Sequence, residues 1–264
     1  MRTIALATDF GTADPYAGIM KGVILSICPD AAIVDMCHGI KFADIRAAAF
    51  FLEIAHKYFP PDTIFVTVVD PGVGGARRGI GARIDNATFI APDNGCLSGI
   101  FTLYSQAEVR ELINYSLMLE SISNTFHGRD IFAPVAAHLA KGVDFVNVGP
   151  IITDPETFPI GRFEIKENQI HTQVIHIDHF GNVITNIRND FQDIRLKNGF
   201  LSSSDGNKPL ALSETFESIP PGGLGMIPGS SGYYEIAAYR GSAASVIGAE
   251  VGNSFIIELS GEDK

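Results

Sequence analysis

The chain is poor in cysteine, poor in basic residues and without an apolar run of membrane length, and each shortage removes a class of function. Three of its 264 residues are cysteine (Cys28, Cys37 and Cys96), with apolar neighbours and no C-x-x-C spacing. They read as reduced core thiols of a cytoplasmic protein rather than as disulfides or a zinc site. Nineteen Lys and Arg stand against thirty Asp and Glu, a net charge of -11. That balance argues against a nucleic-acid backbone or an anionic membrane as partner. The apolar runs break well short of a membrane span, and no basic-then-apolar leader opens the chain. There is no internal repeat, no low-complexity tract and no G-x-x-x-x-G-K-[ST] phosphate loop.

What is present is a folded chain, 46% hydrophobic and 19% charged, near the length at which chains divide into two domains. Its centre of interest is Val66 to Arg78, V-T-V-V-D-P-G-V-G-G-A-R-R. With Ile64 and Phe65 the first half makes a short run suited to a strand buried on both faces. The run stops at Asp70, and Pro71, Gly72, Gly74 and Gly75 let the backbone turn tightly or approach a ligand. Arg77 and Arg78 follow. An acid, a glycine loop and a guanidinium at a strand end suit a ligand site in an open α/β sheet. They also suit a turn in which the Asp caps amides and the Arg is solvated.

The surrounding chain reads strand–helix–strand–helix–strand. Thr3 to Thr8 is a strand ending at Asp9. A helix follows Pro15, with Tyr16, Ile19, Met20, Val23, Ile24 and Ile27 on its apolar face. Ala31 to Met36 is a strand, and Phe42 to Phe59 carries a second helix. This order predicts a mostly parallel α/β domain over 1–155. Ile80–Ile84 and Ala87–Ala91 form a hairpin around Asp85-Asn86, and a helix carries Phe132, Val135, Ala136 and Leu139. Three prolines between Pro150 and Pro159 mark a linker. Beyond it, alternating segments at 170–177, 183–187, near Leu210, 225–227, 233–238 and 254–259 predict an antiparallel β-barrel domain over 165–264, with a short helix at 242–247.

Asp9, Asp70 and Asp93 at neighbouring strand ends raise a metal-dependent phosphohydrolase. Against it, no D-x-D pair and no phosphate-binding lysine accompany them. His176 and His179, three apart beside a strand, point to opposite faces and make poor joint ligands. His127 stands out because Gly128, Arg129 and Asp130 follow it.

Six short motifs occur in order: T-D-F-G at 8–11, D-P-G-V-G-G-x-R-R at 70–78, A-P-D-N-G at 91–95, F-H-G-R-D at 126–130, D-H-F-G-N at 178–182 and G-S-S-G-Y at 229–233. Together they resemble the S-adenosylmethionine (SAM) hydrolase family, the SAM hydroxide adenosyltransferases, which is related to the SAM-dependent fluorinase and chlorinase. The resemblance runs from Thr8 to about Ser245. It implies hydrolysis of SAM to adenosine and methionine without metal or cofactor, with Asp70, Arg77 (by family spacing, rather than Arg78) and His127 around an attacking water. It implies that Asp9 holds the ribose hydroxyls, Asp178 and Asn182 hold methionine and adenine, Phe180 walls the adenosine, and Ser230 and Ser231 grip the methionine carboxylate. It further implies a homotrimer with substrate between one subunit's N-terminal domain and a neighbour's C-terminal domain. Where the halogenases carry Tyr before Pro, this chain has Asp70; where they carry a halide-binding serine, it has Gly128; their hairpin insertion is missing. A carboxylate beside the nucleophile repels halide and accepts a hydrogen bond from water. The competing class is a SAM or adenosine binding module without turnover.

Overall fold

Alternation along buried strands builds the N-terminal sheet. Strand β1 (Thr3–Thr8) lies between β2 (Ala32–Cys37) and β3 (Ile64–Val68), all parallel. Ile4 and Leu6 of β1 enter one apolar cluster with Val66 and Val68, while Ala5 and Ala7 enter another with Phe65 and Val69. A sheet clothed on both faces needs such continuous apolar runs. The hairpin β4 (Gly79–Ile84) and β5 (Ala87–Pro92) follows, with Asp85 at φ +48° in its turn. The edge strand β6 (Glu108–Glu111) completes the order β2-β1-β3-β5-β4-β6, with β3–β5 parallel and the β4 pairings antiparallel.

Helices α1 (Tyr16–Ile27) and α4 (Ala133–Ala140) cover one face, through Met20, Ile24, Val135 and Leu139. Helices α2 (Ile45–Ala55) and α3 (Ser98–Leu103) cover the other, through Leu52 and Ile100. The computed structural model describes residues 2–160, 163–191, 198–203 and 206–259. They fall into two units, Met1–Phe158 and Pro159–Lys264.

Several sequence expectations are corrected here. The helix expected from Phe42 begins at Ile45, because the Asp44 side chain accepts the Ala47 N–H at 2.9 Å and caps it. It ends at Ala55 and gives way to a tighter turn at His56–Tyr58. On α1, Met20 and Ile24 are buried but Tyr16 and Ile19 face outward. All three thiols are free, yet only Cys96 is buried; Cys28 and Cys37 are half-buried. Burial pushes the Cys96 thiol up to about 12. Strand β6 and helix α3 are too short to show a period in the sequence.

The second unit holds β7 (Glu164–Lys166), β8 (Gln169–Ile177), β9 (Val183–Arg188), β10 (Asn198–Ser203), β11 (Gly206–Leu212), β12 (Leu224–Pro228), β13 (Tyr233–Ala238) and β14 (Ser254–Leu259). Seven of them form a ring, β14-β10-β11-β12-β13-β9-β8, closed by the β14–β8 pairing, and β7 hangs on β8. This is a β-barrel filled by Ile170, Val183, Ile187, Met226, Ile236 and Ile257. It is not wholly antiparallel as the sequence suggested: β11 and β12 run parallel, because residues 213–223 carry the chain back instead of turning a hairpin. Helix α5 (Ala243–Ile247) is capped by Ser242, which accepts the Ser245 N–H.

Phe65 and Phe89 stack with centroids 5.0 Å apart, both fully buried between sheet and helices. Phe65→Ala is expected to cost about 3–5 kcal/mol, read as a lowered urea midpoint with unchanged slope. An unshifted midpoint would show that the cavity collapses at no cost.

Candidate active site

Two strand ends deliver the acids. Asp9 follows β1, and its Oδ2 accepts the Ala43 N–H at 3.0 Å. Asp70 stands just past β3, and the glycine loop then turns through Val73 N–H to Asp70 O (3.2 Å) and Gly75 N–H to Gly72 O (3.0 Å). Gly74 sits at φ +76°, and a Cβ there would stand 2.2 Å from the Asn124 carbonyl oxygen. Only glycine lets this loop lie against the segment that leads into His127.

The result is contact between residues 50 apart. Arg77 Nε donates to Asp70 Oδ1 and Oδ2 at 2.9 and 3.0 Å, and its Nη2 reaches both Asp70 Oδ2 and His127 Nδ1, the latter at 2.7 Å. Phe132 lies under the guanidinium, 5.3 Å from its ring centre. Arg78 points elsewhere: its Nε binds Asp93 at 2.8 Å and its Nη1 binds Asp154 at 3.0 Å. The neighbouring arginines therefore serve different acids.

A guanidinium only donates, so His127 Nδ1 accepts and a neutral ring carries its proton on Nε2. Burial and the adjacent Arg77 charge hold the imidazole below its ordinary value, opposed by Asp70, Asp130 and a hydrogen bond to the Ser123 backbone. At neutral pH the ring is uncharged. The cluster is therefore one carboxylate, one guanidinium and one neutral imidazole, with no net charge.

The strand-end acids do not pool. Asp70 is held by Arg77, Asp93 by Arg78, and Asp9 by a backbone amide. Among the described residues, no group of three or more His, Cys, Asp or Glu is arranged to hold a metal ion. His176 lies on β8 and His179 in the turn beyond it.

Asp9, Asp70 and His127 line a cleft of about 610 Å³, within the range that takes a small organic ligand. Its apolar wall is Phe10, Tyr16 and Phe126, packed edge to face at 5.3–5.9 Å between ring centres. Phe42 also lines it, although 86% exposed. Sequence reading missed Phe42 by assigning it to a helix; the N-capping Asp44 was the available signal that the helix starts later.

The remaining expected residues gather in the second unit. Asp178 Oδ1 accepts the Phe180 and Asn182 amides at 2.9 and 2.8 Å, and its Oδ2 accepts Asn182 Nδ2 at 2.9 Å. The turn leaves Phe180 76% exposed and Asn182 buried. In the 229–232 turn Ser230 is exposed, whereas Ser231 Oγ is buried without a hydrogen-bond partner. Glu235, not singled out in the sequence, crowds the turn: a Cβ on Gly229 would stand 2.8 Å from its Oε2. Burial and the Asp178 charge push Glu235 up to about 7.

Aromatic walls and a neutral acid–guanidinium–imidazole cluster at the strand ends define an enzyme of small organic substrates. Residues 4–149 match the SAM hydroxide adenosyltransferase N-terminal domain and residues 172–256 its C-terminal domain, so the chain belongs to that family. It is 33% identical over 259 residues to an (R)-S-adenosyl-L-methionine hydrolase of Salinispora arenicola, covering 95% of both chains. To the hydrolase of the same name from Thermus thermophilus it is 34% identical over 270 residues, 96% of this chain and 98% of the other. A fluorinase of Nocardia brasiliensis is 30% identical over 292 residues, 97% and 96% of the two chains. The crystal structure of an uncharacterized conserved protein from Thermotoga maritima superposes with a TM-score of 0.91 at 35% identity, covering 96% and 99%. Among the described residues no helix is long and apolar enough to cross a membrane.

Glu235 yields a stability prediction. The folded state keeps a proton that the unfolded chain releases between pH 4.5 and about 7, so the residue opposes folding increasingly across that window. Glu235→Gln should stabilise the protein at pH 8, by on the order of 1 kcal/mol after discounting for residual solvation, and not at pH 4. Equal effects at both pH values in thermal melts would refute it.

Proposed function

We propose that this protein hydrolyses SAM to adenosine and methionine, water attacking the ribose 5′ carbon in line with the departing methionine sulfur. The observation that carries the reading is the joined Asp70–Arg77–His127 cluster, whose Asp70 and His127 line the cleft that also holds Asp9. Methionine leaves as a neutral thioether, so no general acid is needed, and the burden falls on the nucleophile.

Free water has a pKa of about 15.7 and an ordinary Asp about 3.9, so Asp70 holds no stoichiometric hydroxide. It orients the water and accepts its proton as the carbon–oxygen bond forms. Arg77 stabilises hydroxide character, and the neutral His127 completes the network. Oxygen with hydroxide character attacks the carbon bonded to a cationic sulfur and the two charges cancel, so an apolar aromatic wall lowers the barrier. Asp9 holds the ribose diol; Asp178, Asn182, Phe180, Ser230 and Ser231 hold the adenine and methionine ends. No metal or cofactor takes part.

Homotrimer formation, with the N-terminal cleft of one copy completed by C-terminal residues of another, is part of the proposal. Outward apolar side chains on α1 (Tyr16, Ile19, Leu25) and β2 (Val34) support an assembly. A cytoplasmic site of action agrees with the three free thiols.

Halide is excluded more by shape than by charge. Because Arg77 neutralises Asp70, simple repulsion is a weaker barrier than the sequence suggests. Gly128 supplies the firmer one. It offers no hydroxyl, and a Cβ there would press at 3.2 Å on Met20 Sδ and Phe126 Cε2. Incubation with SAM of each sulfonium configuration in ¹⁸O-water, with and without excess fluoride or chloride, tests this by mass spectrometry. Label is expected in the adenosine 5′ hydroxyl throughout, with no 5′-halo nucleoside. Unlabelled adenosine or a halogenated product would sink it, and binding without turnover would make the protein a SAM sensor.

Asp70→Asn should lower kcat by about 100-fold or more while leaving KM nearly unchanged, since the acid acts on the transition state. Parallel losses in binding and turnover would instead make Asp70 a substrate-holding residue.

A further inference from the structure

Thr8, immediately before Asp9, is fully buried. Its Oγ1 accepts the Phe10 N–H at 3.2 Å and meets His38 Nδ1 at 2.8 Å. His38 Nε2 lies 3.0 Å from Asp35 Oδ1, and Lys21 Nζ donates to Asp35 Oδ2 at 2.6 Å. The Asp35 carboxylate only accepts, so Nε2 bears the proton, and in the neutral ring Nδ1 accepts from the Thr8 hydroxyl. Every group in the chain then has one consistent direction. The His38 carbonyl also accepts the Gly11 N–H at 2.7 Å.

His38 therefore grips the segment on both sides of Asp9, by its ring at Thr8 and by its backbone at Gly11. The hydroxyl–imidazole–carboxylate order has the form of a nucleophilic triad. Thr8 does not serve as a nucleophile, because its side chain is sealed inside β1 and is absent from the cleft lining. Placement is what the network supplies. The Ala43 amide fixes one oxygen of Asp9, with Ala43 in the left-handed region at φ +61°. A carboxylate that must meet two vicinal hydroxyls has little angular tolerance, and a small misplacement is costly.

We propose that the Asp35–His38–Thr8 chain is a positioning device that aims Asp9 at the ribose diol and so sets affinity for that part of the substrate. This rests on the role given to Asp9 above. His38 and Asp35 touch no reacting atom, so they are positioning residues.

The experiment compares KM and kcat for SAM and for its 2′-deoxy analogue in the wild type, His38→Leu, His38→Gln, Thr8→Val and Asp9→Ala, with melting curves to confirm folding. His38→Leu should raise KM for SAM about tenfold, a factor equivalent to roughly 1.4 kcal/mol, with kcat nearly unchanged. The 2′-deoxy analogue, already weakened by its missing hydroxyl, should lose little more. His38→Gln, which can still accept from Thr8 and donate to Asp35, should recover most of the loss. Thr8→Val keeps the shape and deletes only the hydroxyl, so it repeats the His38→Leu pattern even if that variant folds poorly. Equal losses for both substrates, or an unchanged KM for SAM in folded Thr8→Val, would overturn the inference while Asp9→Ala still erases discrimination between the substrates. If Asp9→Ala leaves that discrimination intact, the role of Asp9 falls and this inference falls with it.

Discussion

The ion pair between Asp70 and Arg77 is the constraint around which the N-terminal loops are arranged. Their side chains are 5% and 11% exposed, and a carboxylate so far removed from water is costly unless paired and fully hydrogen-bonded. The chain beyond β3 must therefore come back on itself within a few residues, which the glycine loop allows. The same loop must lie flat on the Asn124 backbone, which Gly74 allows. The pairing then delivers Arg77 to His127, whose imidazole is held below its ordinary value by burial and by the guanidinium beside it. Folding cost and the arrangement of the proposed catalytic cluster are one requirement here.

Two further ion pairs, Arg78 with Asp93 and with Asp154, fasten the 154–158 segment to the sheet. Asp93 also accepts the Glu156 amide, and Phe158 lies against Arg46 and Gly95. Adjacent arginines thus divide the work: one turns inward to the cleft and one holds the end of the unit.

Much of this was legible because strands buried on both faces leave uninterrupted apolar runs. The strands near 3–8, 64–68 and 80–91 could be read so, as could the acids that end them. The family resemblance singled out Arg77, where the residues alone left Arg77 and Arg78 equal. Illegible features were those set by contacts distant in sequence. The exposure of Phe42 depends on where Asp44 caps a helix. The His38–Thr8 bond joins the end of β1 to the residue just past β2, and no spacing announces it. Glu235 looked like one polar residue in an alternating strand, and its environment comes from Asp178 and the 229–232 turn. Strands β6 and β10 carried too little periodicity to stand out.

The barrel of the second unit has a consequence that follows from parity. Neighbours in a closed ring of strands can alternate in direction all the way round only if their number is even. This ring has seven, so an odd number of its contacts must be parallel, and the structure places a single one at β11–β12. Between those two strands the chain has to travel the height of the barrel outside the sheet. It does so through 213–223, where Ile219 is buried with Ile227 and Ala237 and takes the space that a Cβ on Gly225 would need. The odd count thus accounts for the detour of backbone over 213–223, with its proline pair at Pro220-Pro221, and for a glycine at the second position of β12 that no local propensity would place there.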